Sequence, residues 1–155
     1  MSTDRILIHA SIADEFIAAL KTALTHGASA EIPKLVTAAS KARIQRIVSS
    51  AISSGAHIIY GDKDSTREGD NSIGSTFTPV VLGGVREDMD TWQEEAFAPL
   101  AACMIVKDVD EAIRVANRGG YGLSASVFTK DLRKGLALAR KLESGWVEPS
   151  LISRL

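Results

Sequence analysis

The chain has a single cysteine, Cys103, among its 155 residues. That excludes a disulfide framework and a cysteine-based metal site, and it fits a reducing compartment. An excess of one charge is also lacking: 18 Lys and Arg stand against 19 Asp and Glu. Such a balance gives no field to draw nucleic acid or an anionic membrane surface, so neither is expected as a partner. No apolar run approaches the roughly 20 residues of a membrane-spanning helix. The first residues include Asp4 and Arg5 and carry no hydrophobic secretory core, which points to the cytoplasm. The three histidines, His9, His26 and His57, have no ligand spacing. Each falls at the end of an expected element, where edge or surface placement is the ordinary outcome. No metal and no cofactor is implied by these residues themselves.

What remains is an ordinary hydrophobic fraction of 45% in a length that suits one domain, residues 1–155, with its own core. Arg5 to His9 reads as a strand. Ser11 is the expected cap of a helix with Ile12, Phe16, Ala19, Leu20 and Leu24 on one face. A connector over 28–39 leads to a helix capped by Ser40. Its apolar stripe is Ile44, Ile47, Val48, Ala51 and Ile52, and Lys41, Arg43, Gln45 and Arg46 are expected to face out. Ala56 to Tyr60 is a strand, and the polar stretch 61–75 reads as a surface loop. Phe77 to Val85 is a strand interrupted by Pro79 and Gly83-Gly84. Ala101 to Lys107 is continuously apolar, the signature of a strand buried on both faces. Asp108 starts a helix with Val109, Ala112, Ile113 and Ala116 inward. Tyr121 to Thr129 is a strand, Asp131 starts a helix that Gly145 ends, and Trp146-Val147 opens a last strand. Strands alternating with helices predict an α/β fold with a mostly parallel open sheet flanked by helices.

The segment Trp92-Gln-Glu94-Glu95-Ala-Phe97-Ala-Pro99-Leu100 holds the candidate site. Two adjacent carboxylates near an apolar wall suit proton transfer, so Glu94 and Glu95 are the candidate acid/base groups. Trp92 and Phe97 are the candidate substrate-binding residues. Trp92 and Trp146 stand out among only 5% aromatics; exposed they would form a binding wall, buried they are core. Cys103 lies within an expected buried strand and reads as inert core.

The same segment resembles the E-E-x-F-G-P stretch of the aldehyde dehydrogenase superfamily, with Ala98 in place of the glycine. Three further segments are similar to that family. They are Ser2 to Phe16, the D-x-x-E-A helix at Asp108 to Ala112 with Ala116-Asn117, and the strand Tyr121-Gly-Leu-Ser-Ala-Ser-Val-Phe-Thr-Lys-Asp131. The wording is closest to fungal, salicylaldehyde-dehydrogenase-like members. The resemblance implies the fold of the family's catalytic domain. It also implies that Glu95 and Phe97 stand where the family grips the nicotinamide ribose, and that the catalytic cysteine falls just before the position of Met1. The family's cofactor domain, which supplies a base and an oxyanion-hole asparagine, has no counterpart in these residues.

Acyl transfer from an aldehyde needs nucleophile, base and hydride acceptor together. Since the resemblance accounts for none of the three within this chain, the leading expectation is a non-redox enzyme using acid/base chemistry on a small metabolite, for example an aromatic or polyketide-like one. It would be an isomerase, a cyclase or a hydrolase, working as a homodimer that covers apolar surface. Two alternatives stay open: a fragment or split subunit of an NAD(P)-dependent dehydrogenase, and a non-catalytic binding module. A pocket holding Glu94 or Glu95 beside Trp92 favours the enzyme.

Overall fold

The computed structural model describes residues 3–27, 34–62 and 76–151. Most of the loop expected over 61–75, and Pro33 in the connector before it, lie outside the described residues. The chain divides into two compact units, 1–106 and 107–155.

In the first unit, four strands form one sheet: β1 (Arg5–His9), β2 (His57–Tyr60), β3 (Val80–Gly83) and β4 (Leu100–Val106). Their order is β1-β4-β3-β2. β4 runs parallel to both β1 and β3, and β2 closes the edge antiparallel to β3. Every residue of β3 is buried, as are Leu100, Ala102, Cys103, Met104 and Val106 of β4. The apolar run is the central strand, buried along one face and at Cys103 on the other, where Ile105 is exposed rather than covered as expected.

One face of this sheet is covered by α1 (Ala13–Gly27), whose Phe16, Ile17, Leu20 and Leu24 pack on Ile8, Ile59, Val81 and Cys103. Ser11 is not its cap. His9 accepts a hydrogen bond from the Ser11 amide through Nδ1 and starts a single 3-10 turn, Ala10–Ile12, which runs into α1.

The second helix, α2, spans Ala38–Ser53 and starts earlier than Ser40 suggests. Thr37 is the cap; its hydroxyl accepts from the Ser40 amide at 3.0 Å. The covered face is the expected stripe, and by i, i+3 and i+4 spacing it also takes in two polar residues. Lys41 and Gln45, expected outside, are 5% and 3% exposed, in line with Ile44 and Val48. Ile52, expected inside, lies at the exposed limit of the stripe. A short α3 (Asp90–Gln93) packs against α2 and buries Thr91 and Trp92.

Gly83 of β3 faces His57 of β2. A Cβ on Gly83 would lie 2.7 Å from His57 Nε2, so a glycine is what lets the imidazole lie across the strand end. His57 is thus on an edge strand, as expected of it.

The second unit holds α4 (Val109–Asn117), β5 (Ser124–Thr129), α5 (Leu132–Ala139) and β6 (Trp146–Leu151), with β5 and β6 paired in parallel as a separate two-stranded sheet. The D-x-x-E pattern is a helix start. Asp108 Oδ1 accepts from the Glu111 amide at 2.8 Å, and Glu111 Oε2 reaches back to the Lys107 amide at 2.8 Å. Val109 is exposed, and Val115 is the fully buried residue of α4, so the inward face is rotated from the expected one. Asn117 ties the helix end to the segment after α5: it donates to the Lys141 carbonyl and accepts from the Glu143 amide. Asp131 caps α5 by accepting from two amides, as expected, but the helix ends at Ala139, well before Gly145. Gly122 is required by a close approach: a Cβ there would meet the Glu143 carbonyl oxygen at 2.6 Å.

Candidate functional site

Trp92 lies in α3, and Glu94, Glu95 and Phe97 lie on the loop from α3 to β4. The loop begins where Glu94 ends α3, its amide donating to the Asp90 carbonyl. It closes on β4, where the Leu100 amide donates to the Ala98 carbonyl and the Pro99 carbonyl accepts from the Val80 amide of β3. Pro99 sits just before the strand, where no ladder donor is needed.

Between these ends the loop is held by Arg43 of α2. Its guanidinium donates from Nη1 to Glu94 Oε2 at 3.0 Å, and from Nη2 to the carbonyls of Glu95 at 3.1 Å and Ala96 at 2.7 Å. Sequence reasoning placed Arg43 outward and missed this. Nothing local in the sequence marks a partner 51 residues away; the helix phase alone decides it.

The four predicted site residues end up in different surroundings. Trp92 is 3% exposed, with the Arg5 guanidinium 5.5 Å from the centre of its ring. By the criterion of burial it is core. Trp146, in the second unit, is 69% exposed. Glu94 is half exposed and ion-paired with Arg43. Glu95 is half-buried. Phe97 is 82% exposed and has a φ of +47°, the only non-glycine residue with positive φ among the described residues. Ala98, at the family's glycine position, is outside that region of φ, so its methyl meets no backbone penalty.

Glu94 opens onto a shallow groove of about 860 Å³ between α2 and α3. Arg43, Arg46, Asp90 and three serines, Ser49, Ser50 and Ser53, line it with Ile47. Ile47 is the one apolar side chain among these lining residues. Cys103 is buried in β4, where loss of solvation pushes its thiol up to about 11. It is protonated and inert near neutral pH.

A parallel β1-β4-β3 sheet carrying this loop ahead of its central strand fits one family's pattern, and the family model for "Aldehyde dehydrogenase family" matches residues 1–149. The chain belongs to the aldehyde dehydrogenase family. It is 37% identical over 154 residues to a non-phosphorylating aspartate-semialdehyde dehydrogenase of Halomonas elongata, covering 95% of this chain and 30% of that protein. It is 32% identical to a vanillin dehydrogenase of Pseudomonas fluorescens, covering 94% of this chain and 30% of that protein. Among solved structures, the NADP complex of an NADP-dependent glyceraldehyde-3-phosphate dehydrogenase from Bacillus halodurans superposes with a TM-score of 0.84 at 30% identity, covering 97% of this chain and 31% of the other. A salicylaldehyde dehydrogenase from Pseudomonas putida, bound to salicylaldehyde, gives 0.83 at 29% identity, covering 97% and 32%. The chain thus spans about 30% of the length of the dehydrogenases it matches. The α/β class and the mostly parallel pairing are those of these aldehyde dehydrogenases. Among the described residues no helix is long and apolar enough to cross a membrane.

Proposed function

We propose that this chain supplies the catalytic-domain side of an NAD(P)-dependent aldehyde dehydrogenase, with the Glu95–Phe97 loop as its contribution to the cofactor site. The observation that carries this reading is Phe97: a large ring, 82% exposed, presented from a backbone with positive φ. An aromatic held out at a conformational cost suits a surface that something else covers. The half-buried Glu95 stands two positions away. An exposed ring and a nearby carboxylate fit one edge of a nicotinamide ribose, the ring by packing and the carboxylate by accepting from a ribose hydroxyl. The cofactor itself is the hydride acceptor when bound. Nucleophile, base and the rest of the cofactor pocket then come from a partnering dehydrogenase segment. We further place the protein in the cytoplasm and expect Leu123, Phe128 and Trp146, exposed in the second unit, to be covered by that segment or by a second copy in a symmetric dimer.

The test is complementation. The chain is co-expressed with the remaining, cofactor-binding part of the Halomonas elongata relative, and NAD(P)H formation from a semialdehyde or an aromatic aldehyde is followed. The expected result is a stable complex with activity that neither part has alone, and a raised KM for cofactor with Phe97→Ala. A folded chain that forms no complex and gives no activity refutes the reading.

The non-redox reading keeps one observation in its favour, the groove beside Glu94. In it Glu94, with Arg43 as its ion-pair partner, handles a proton on a small polar metabolite. It loses ground because acid/base carboxylates are usually tuned by an apolar pocket, and Glu94 is half exposed on an open surface. Conversion of a metabolite by the isolated chain, abolished by Glu94→Gln, would restore it.

A further inference from the structure

We infer that Arg43 is a positioning residue: its fork fixes the peptide planes that hold Phe97 in its left-handed conformation. This rests on the proposed function for the purpose of the clamp, though not for its existence. The φ of Phe97 is the rotation about the bond from its nitrogen to its Cα. The peptide plane on the nitrogen side also contains the Ala96 carbonyl, and that carbonyl accepts the shortest of the Arg43 bonds, at 2.7 Å. The preceding plane carries the Glu95 carbonyl, bound to the same Nη2 at 3.1 Å. On the far side of Phe97, the Ala98 carbonyl is taken by the Leu100 amide at 2.7 Å. The peptide plane entering Phe97 is therefore held directly by Arg43, and the chain is anchored again at β4 one plane beyond the plane that leaves the residue.

A bulky residue at positive φ does not stay there unaided, because the extended and right-handed regions lie lower in energy. Its own side chain, exposed to solvent, contributes almost no packing to oppose that drift. The restraint has to come from the flanking planes. A lysine in place of Arg43 carries one compact ammonium and cannot span Glu94, Glu95 and Ala96 with fixed geometry. Arg43 is itself held in phase by its neighbour Ile44 and by Ile47, both buried on α2. The loop's shape is thus set by the packing phase of a helix half the unit away in sequence.

Hydrogen exchange of the purified chain tests this, comparing the loop-end amides of Glu94 and Leu100, which donate to the Asp90 and Ala98 carbonyls, with those of Ala102 to Met104 in β4 as the measure of global unfolding. Loss of three hydrogen bonds in Arg43→Met is expected to raise loop exchange by about 10- to 100-fold with β4 unchanged. Arg43→Lys, which keeps the charge and the stem, is expected between the two, and Arg46→Met, on the exposed face of the same helix, is expected to match the parent. Loop exchange in Arg43→Met within about twofold of the parent overturns the proposal. Should Arg43→Met unfold, the Lys variant decides by the same criterion. In the complemented complex the Arg43→Met variant should raise the KM for NAD(P) more than it lowers kcat. Faster exchange with both constants unchanged overturns the positioning role. A parent complex without cofactor-dependent activity sinks the proposed function instead, and exchange alone then decides whether Arg43 sets Phe97.

Discussion

Trp92→Ala is the most informative single substitution, because Trp92 was a candidate for contact with substrate and lies in the core. At 3% exposure the indole loses nearly all its contact with water on folding. Truncating a buried Trp to Ala costs about 3–5 kcal/mol in transfer and cavity terms. The Arg5 guanidinium, 5.5 Å from the ring centre, adds about 0.5–1 kcal/mol at a partly exposed site. Against a total stability of about 5–15 kcal/mol for an ordinary domain, this is a large fraction. The assay is urea unfolding followed by circular dichroism, reading the midpoint at unchanged slope. Trp92→Phe retains a ring and should lose roughly half as much, so it reports even if the alanine variant is unfolded at the outset. A double-mutant cycle with Arg5→Met isolates the cation–ring share. A loss below about 1 kcal/mol for Trp92→Ala would show that the indole is not a packed core group, and would return it to the list of binding residues.

Three further outcomes follow from the same structure. Thr91 has a buried hydroxyl with no hydrogen-bond partner, so Thr91→Val should leave stability unchanged or raise it by up to about 1 kcal/mol in urea unfolding; a loss above that would mean the hydroxyl is satisfied. Cys103, with its thiol raised by burial from 9.0 to about 11, stays protonated in the fold after the unfolded chain has ionised. Its contribution is therefore complete below pH 9 and is lost as pH rises to about 11, with a slope approaching 1.4 kcal/mol per pH unit that Cys103→Ala should remove. Native protein should also resist a thiol reagent at neutral pH. Gly83→Ala forces its methyl against His57, so it should cost about 1–3 kcal/mol by thermal or urea unfolding, and His57→Ala in the same chain should recover part of it.

Much of the architecture was legible because it follows from local physics. β1 and the central β4 are short apolar runs of strand length. The D-x-x-E pattern and Asp131 are helix caps whose side chains satisfy amides a turn away. The family segments could be recognised for a related reason: each is a local device, a cap at Asp108, a close approach at Gly122, an entry to a strand at Pro99. The failures in α2 have two causes. Ser40 reads as the cap in place of Thr37, and, separately, polarity sets Lys41, Gln45 and Arg43 outward, although Lys41 and Gln45 share a face with Ile44 and Val48 by i, i+3 and i+4 spacing.

The sequence by itself determined the elements, the α/β class and the family, since periodicity, caps and motif wording are properties of neighbouring residues. Only the tertiary structure decided what the candidate site is made of. It buried Trp92, exposed Phe97 at positive φ, opened Glu94 onto a shallow groove and brought Arg43 across to the loop. Each of these depends on which face of α2 meets α3 and the loop before β4. That is a matter of packing between segments some fifty residues apart, and no local pattern encodes it.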